Sequence, residues 1–317
     1  MSNGLKAALC AVLGALAAGV AVAGAENRSG AAPGSPSSLP SVTFRVATFN
    51  IRIDIGKKGE LIDKGDNVWP KRLPRVVKVI RDGGFDLIGF QEVIKSMWSD
   101  LVTSLPEYAF ADGPDKQGPN PIAYNPRLFE RIDSGRFALS AKPNDFNALT
   151  WGASGVRICQ WARLKHKPTG RIIRVFCQHP DWKSQESRSK GMALVLGKAK
   201  KAISEGEDVI MTGDLNEMIG GTVSWSPPDP ERPFGDSIRL AKGVLRDSFD
   251  ATETPHTGPV FTYHGYKPLA TLRLDYIFVS DAFRVLGHHT HADRPGGKFP
   301  SDHDAVSTLL GLKDRPK

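Results

Sequence analysis

Apolar positions along the chain change their period several times, and each change marks an element. Residues 44–53 (FRVATFNIRI) alternate apolar and polar side chains with the period of two that a half-buried strand requires, so they are predicted to form the first strand. Residues 69–80 switch to helical spacing, with Val76, Val77 and Ile80 on one face, and Gly83-Gly84 supplies a stop. Residues 85–90 form a short apolar run suited to a buried strand, and residues 98–105 return to helical spacing. Residues 122–124, 129–139, 157–164 and 171–178 follow as strands, the last two joined by a turn at Lys167-Pro168-Thr169-Gly170. Residues 187–202 are predicted to be helical, and residues 208–212, 274–280 and 305–312 are predicted strands. Repeated strand, helix, strand units followed by meanders imply an α/β sandwich, two packed sheets with helices outside.

Before residue 42 the pattern is of another kind. Residues 7–25 are almost entirely Ala, Val, Leu and Gly, follow Lys6 and end in Ala23-Gly24-Ala25. That is the charge, apolar stretch and small-residue end of a secretory signal peptide, with cleavage expected before Glu26 and a secreted or periplasmic location. An uncleaved membrane anchor is the alternative, weakened by the low hydrophobicity of Ala and Gly. A lipoprotein anchor at Cys10 is weaker still, because Leu9 precedes it. Residues 26–41, rich in Ser, Gly and Pro, read as a flexible leader, residues 42–312 as one folded domain and residues 313–317 as a tail.

Composition adds two points. Beyond the signal the chain keeps Cys159 and Cys177, which the Lys167–Gly170 turn brings nearly opposite each other; a cross-strand disulfide and a pair of buried thiols both fit. The net charge of +8 favours polyanionic partners, nucleic acid or anionic lipid head groups, although a solvated basic surface explains it equally well. The densest basic stretch, residues 163–174, reads as a hairpin whose charges blunt a sheet edge.

Candidate chemistry collects where strands end. Asn50 follows the first strand, Glu92 the second, His179 the strand ending at Gln178, and Asp214 and Asn216 the strand at 208–212. Asp275 opens one strand, and Asp302-His303 precede the last. Each has an ordinary explanation taken alone: a turn residue, a helix-start carboxylate, a core histidine, a cap. Polar side chains at strand ends can also converge on one rim, which is what metal-assisted phosphoester hydrolysis requires.

These segments, from Phe44-Arg45-Val46-Ala47-Thr48-Phe49-Asn50 through Phe90-Gln91-Glu92, the His179 strand, Gly213 to Asn216 and Arg273 to Tyr276, to Ser301-Asp302-His303, together resemble the endonuclease/exonuclease/phosphatase family. That family includes deoxyribonuclease I-like enzymes, abasic-site endonucleases, sphingomyelinases and inositol polyphosphate phosphatases. The resemblance implies a four-layer sandwich of two mostly antiparallel β-sheets flanked by helices, with the site at the sheets' upper edge. It further implies Glu92 as principal Mg²⁺ ligand with Asn50 beside it and Asp302 completing or orienting the hydrated ion, Mn²⁺ being the alternative metal. Asp214, steered by Asn216, would deprotonate the attacking water, and His303, paired with Asp275, would donate to the phosphate. His179 would contact the phosphate or assist the leaving oxygen.

Trp182 stands where many phosphatase-like members carry a second histidine, so the resemblance specifies chemistry more firmly than substrate. Trp151, Trp182, Trp225 and residues 261–266 (FTYHGY) could stack on a base, sugar or acyl-chain neck, and Arg157 or Arg188 could grip a phosphate. The expected activity is hydrolysis of a phosphodiester by a nuclease or phosphodiesterase-like enzyme. The alternatives are a phosphatase or a phospholipase C or sphingomyelinase-like enzyme acting on a small phosphoester or lipid head group, and, from another class, a non-catalytic phosphate-binding module. No obligate protein partner is evident.

Overall fold

The computed structural model describes residues 42–54, 62–111, 119–221, 223–226, 229 and 231–314. The expected signal peptide and leader, residues 1–41, and most of the tail lie outside them. Among the described residues no helix is long and apolar enough to cross a membrane.

The alternating run at the start forms β1 (Thr43–Asn50), which runs parallel to β2 (Leu87–Gln91) and antiparallel to β12 (Ala305–Leu312). Between β1 and β2 the chain crosses over through α1 (Trp69–Gly83), whose apolar face buries Val76, Val77 and Ile80. Gly84 ends this helix in the left-handed region (φ 58°), which a residue without Cβ enters freely, and its N–H caps the Arg81 carbonyl at 3.2 Å. α2 (Lys95–Ser104), β3 (Ala109–Phe110), β4 (Ile122–Tyr124) and β11 (Phe283–His291) complete this side, giving a six-stranded sheet ordered β11-β12-β1-β2-β4-β3.

The second sheet is ordered β5-β6-β7-β8-β10-β9, from β5 (Phe129–Ala138), β6 (Ile158–His166), β7 (Ile172–Gln178), β8 (Asp208–Asp214), β9 (Arg246–Asp247) and β10 (Asp275–Val279). Among the described strands, β1 with β2 and β7 with β8 pair in parallel and the other strand pairs are antiparallel. α3 (Gln185–Ser204), started by Ser184 accepting from the Ser187 N–H at 3.1 Å, and α4 (Asp236–Lys242) cover its outer face, while the single-turn α5 (Ser248–Ala251) follows β9.

Three apolar clusters separate four layers. Phe44, Val46, Leu87, Val175, Ile210 and Ile277 pack sheet against sheet. Val76, Ile80, Ile88 and Met97 seat α1 and α2 on the first sheet, and Met192, Val195, Met211 and Phe278 seat α3 on the second. The sheets approach each other tightly at Gly89, where a Cβ would lie 2.1 Å from the Thr212 hydroxyl and 2.8 Å from the Cys177 sulfur.

The cysteines take the buried-thiol alternative, and one expectation, for the basic hairpin, changes. Register pairs Cys159 with Gln178 and Cys177 with Gln160, so the cysteines are offset by one position. Side chains one position apart face opposite ways, and no disulfide joins the two: Cys159 lies under α3 and Cys177 between the sheets. The basic hairpin is no edge, because β5 and β8 flank β6 and β7. Its Arg163 and Arg174 converge instead on Glu207, at 2.5 and 2.9 Å.

Candidate active site

Strands of both sheets end on one rim, and the residues singled out in the sequence meet there. Asp214 closes β8 and Asp275 opens β10, and these two carboxylates are direct cross-strand partners. Like charges so placed repel, and His303 lies between them. Its Nδ1 is 2.8 Å from Asp275 Oδ2 and its Nε2 3.5 Å from Asp214 Oδ2. Thr262 Oγ1 donates to the same Asp275 oxygen at 2.6 Å, while Asp275 Oδ1 is buried without a partner. Tyr263 covers the imidazole, ring centroids 4.9 Å apart.

Asp214 is held from three directions. The Asn216 N–H donates to Oδ1 at 2.9 Å and Asn50 Nδ2 donates to Oδ2 at 2.9 Å, while His179 Nε2 stands 3.4 Å away. Asn216 adopts φ 52°, a conformation tolerable for Asn, and its side chain donates to the Pro180 carbonyl at 3.2 Å, tying the loops after β7 and β8 together.

Glu92, just past β2, also lies in the left-handed region, at φ 66°. A non-glycine residue held there costs of order 1–3 kcal/mol, and such strain gathers at functional sites. Its oxygens accept from Asn50 Nδ2 at 3.1 Å and the Ile53 N–H at 2.8 Å. Asn50 thus presents its amide nitrogen to Glu92 and Asp214, and its carbonyl oxygen accepts from the Arg52 N–H at 2.9 Å. Arg52, itself at φ 59°, reaches Asp302 Oδ2 at 3.4 Å.

Protonation states separate accordingly. Burial alone would lower the His303 pKa, but Asp275, Asp214 and Asp302 outweigh it and hold it well above the usual imidazole range. Burial dominates at His179, with the Arg157 charge assisting, and keeps that imidazole below its ordinary value despite Asp214 and Glu92. The two imidazoles are therefore pushed in opposite directions, His303 toward its charged form and His179 toward its neutral form. Burial raises Asp302, and the nearby charge of Glu92 adds to the shift; Glu92 itself ends below the usual carboxylate range, because His179, the Ile53 N–H, Asn50 and Arg52 overcome its burial.

Two groupings could hold a cation. Asp214, Asp275 and His303 offer ligand atoms within 4.8 Å of one another. Both nitrogens of His303 already face those two carboxylates, so this set reads as a proton-holding relay. Glu92 and Asp302, with the Asn50 amide next to them, are hard oxygen donors beside a cleft, and the like-charge contribution to the Asp302 shift is what a bound cation would relieve.

Glu92, His179, Asp214, Asn216, Asp302 and His303 all line one cleft of about 460 Å³, with Asn50 and Asp275 directly behind them. Trp182, Trp225, Tyr263 and Arg157 line it too, whereas Trp151 does not. Arg188 is fully buried and not on the cleft wall, donating to the Asp181 carbonyl at 3.0 Å. Arg52 and Thr262 escaped the sequence reading. Their only signal was adjacency, Arg52 two residues beyond Asn50 and Thr262 inside the aromatic stretch at 261–266.

Comparison with known proteins agrees with this geometry. The profile described as "Endonuclease/Exonuclease/phosphatase family" matches residues 47–303. An endonuclease/exonuclease/phosphatase from Bacteroides vulgatus superposes with a TM-score of 0.73 at 28% identity, covering 86% of this chain and 100% of its own. A Bacteroides thetaiotaomicron mannosyl-6-phosphatase gives 0.70 at 27% identity, over 85% of this chain and 100% of its own. D. rerio TDP2, solved with a single-strand DNA product, shares the fold at 14% identity, with a TM-score of 0.62 over 85% of this chain and 99% of its own. No curated protein matches.

Proposed function

The chain belongs to the endonuclease/exonuclease/phosphatase family, a family of phosphoester hydrolases, and from that premise we propose that it is an exported, divalent-metal-dependent hydrolase of a small phosphoester. The carrying observation is the imidazole of His303, fixed between Asp275 and Asp214 on the cleft that also exposes Glu92 and Asp302. Export rests on the apolar segment at residues 7–25.

In this reading Asp214 receives the proton of the attacking water. The Asn216 N–H and Asn50 Nδ2 fix its two oxygens, so that its remaining lone pairs are presented to the cleft. His303, kept protonated by Asp275, donates to a phosphate oxygen as negative charge builds there. Neutral His179 binds the phosphate or assists the leaving oxygen. Glu92 and Asp302, with Asn50 beside them, would hold Mg²⁺ or Mn²⁺, which when bound supplies Lewis-acid neutralisation of the developing charge. Attack is in line, with no covalent enzyme intermediate.

A small phosphoester is favoured by the likeness to the mannosyl-6-phosphatase, whose full length is covered at 27% identity. The net charge of +8 favours a second reading, nucleic acid. The test is a hydrolysis panel of sugar phosphates, p-nitrophenyl phosphate, bis-p-nitrophenyl phosphate, plasmid DNA and RNA, each with Mg²⁺, Mn²⁺ or excess chelator. Turnover of small phosphoesters that chelator abolishes and Asp214→Asn eliminates is expected. Cleavage of nucleic acid alone would select the second reading, and unchanged turnover in chelator would refute metal dependence.

A further inference from the structure

Among the described residues, five arginines, Arg75, Arg157, Arg171, Arg188 and Arg246, carry a buried nitrogen with no hydrogen-bond partner. Four of them anchor their other nitrogens: Arg75 and Arg246 on carbonyls, Arg171 on Asp208 and a carbonyl, Arg188 on the Asp181 carbonyl and Ser226. The Arg157 side chain makes no hydrogen bond to any described residue. Its one charge contact is Asp181 Oδ2, 3.5 Å from Nε.

That partner is already committed. Asp181 Oδ2 accepts from the Ser154 N–H at 2.9 Å and Ser154 Oγ at 2.6 Å, and Oδ1 accepts from the Lys183 and Ser184 N–H groups at 3.0 and 2.8 Å. Asp181 therefore fixes the position of the guanidinium through its charge while leaving the N–H donors unused. Nε is buried without an acceptor, and the side chain keeps 20% exposure on the cleft, where the terminal nitrogens have no acceptor among the described residues either. A buried polar group left in that condition is costly, and where a protein retains one on a cleft the missing acceptor is reasonably a ligand. Arg157 lines the cleft beside Trp182 and lies near enough to His179 for its charge to help keep that imidazole neutral.

We propose that Arg157 is a specificity-determining residue that recognises the terminal oxygens of a phosphate monoester. The proposal rests on the phosphoester hydrolysis argued above. In that scheme His303, His179 and the cation-holding carboxylate pair account for contacts to two non-bridging oxygens, which is all that a diester possesses. A monoester brings a third terminal oxygen and a second negative charge. The planar fork of a guanidinium matches two phosphate oxygens at once, which a point charge does not. Arg52, the other arginine on the cleft, is engaged by Asp63 and Asp302, each at 3.4 Å.

The test compares Arg157→Met and Arg157→Lys with the wild type on p-nitrophenyl phosphate and bis-p-nitrophenyl phosphate, alongside calorimetric titration with inorganic phosphate. In Arg157→Met, kcat/KM for the monoester should fall about a hundredfold, and that for the diester less than about threefold, with phosphate affinity reduced roughly tenfold. Arg157→Lys should recover part of the phosphate affinity and little of the monoester preference. Unchanged melting temperatures would show that the fold is intact, since Asp181 keeps its four hydrogen bonds. Equal losses on both substrates, or no loss, would overturn the assignment. If the wild type hydrolyses neither compound with either metal, phosphoester hydrolysis is what fails; phosphate affinity then decides on Arg157, and equal affinity in wild type and Arg157→Met overturns it.

Discussion

At the scale of single residues, the site works by pushing two imidazoles in opposite directions. His303 faces Asp275 and Asp214, and its pKa lies well above the usual 6.5. A raised folded-state value means that the charged form stabilises the fold fully below the unfolded pKa, and that this contribution is lost as pH rises through the folded pKa. The alkaline limb of the kcat/KM profile should therefore fall above the ordinary imidazole range. Asp275→Asn keeps the size and an acceptor but removes the charge, so that limb should move to lower pH, with a rate loss of about a hundredfold or more. An unmoved limb would show that another group controls it. A second prediction concerns Glu92, whose backbone lies in the left-handed region and whose carboxylate Asn50 and Ile53 hold. Glu92→Gln should weaken the metal activation constant at least tenfold, measured by titrating Mg²⁺ or Mn²⁺ into chelator-treated protein. The chemically active types were legible in the sequence because each follows or opens an apolar run. Arg52 and Thr262 were not, because their roles depend on a left-handed backbone and on a loop folding back over β10.

At the scale of elements, long periodic runs and short apolar ones such as β4 were read well, while irregular elements and those of only two residues or one or two turns were missed. β1, α1, β7 and β12 emerge within a few residues of their expected limits. β11 did not, because a bulge between Val285 and Gly287 breaks its alternation, and its later inward positions carry His288 and Thr290 in place of aliphatic residues. β9 spans two residues and α5 four, too short for any period to show. What joins these elements near the site is Arg72 on α1, a fully buried arginine whose partners are all carbonyls. It donates to Ile51, to Arg52 at 2.8 Å, to Asn67 at 2.6 Å and to Pro300 at 3.4 Å. One side chain thus fastens the helix to the segment after β1 and to the segment preceding His303. Arg72→Met should cost about 3 kcal/mol or more in urea unfolding, since charge-assisted bonds are lost and buried carbonyls are left unpaired. It should also lower kcat, although Arg72 is not on the cleft wall.

At the scale of the whole molecule, the site is shared between the sheets. The first sheet contributes Asn50, Glu92 and the Asp302-His303 pair ahead of β12, and the second contributes His179, Asp214, Asn216 and Asp275. The bond from His303 to Asp275, 2.8 Å long, crosses from one sheet to the other and so reports their relative position. Sequence periodicity fixes which face of each strand is buried but not how two buried faces seat against each other, and that is where the reading ran out. Gly89 controls the seating: the Cβ of an alanine there would meet Thr212 Oγ1 at 2.1 Å and Cys177 Sγ at 2.8 Å, so the sheets must separate or the side chains must turn. Gly89→Ala should destabilise the protein by about 1–3 kcal/mol, the usual range for an overfilled core. It should also lower kcat more than it changes KM, because the relay spanning the sheets is stretched while the cleft wall around Arg157 stays in place. Thr212→Ala removes the hydroxyl that the new methyl would strike. The double variant Gly89→Ala/Thr212→Ala should therefore lose less than the sum of the two single losses, in stability and in kcat alike. Strict additivity in both would mean that the approach at Gly89 does not set the alignment of the relay.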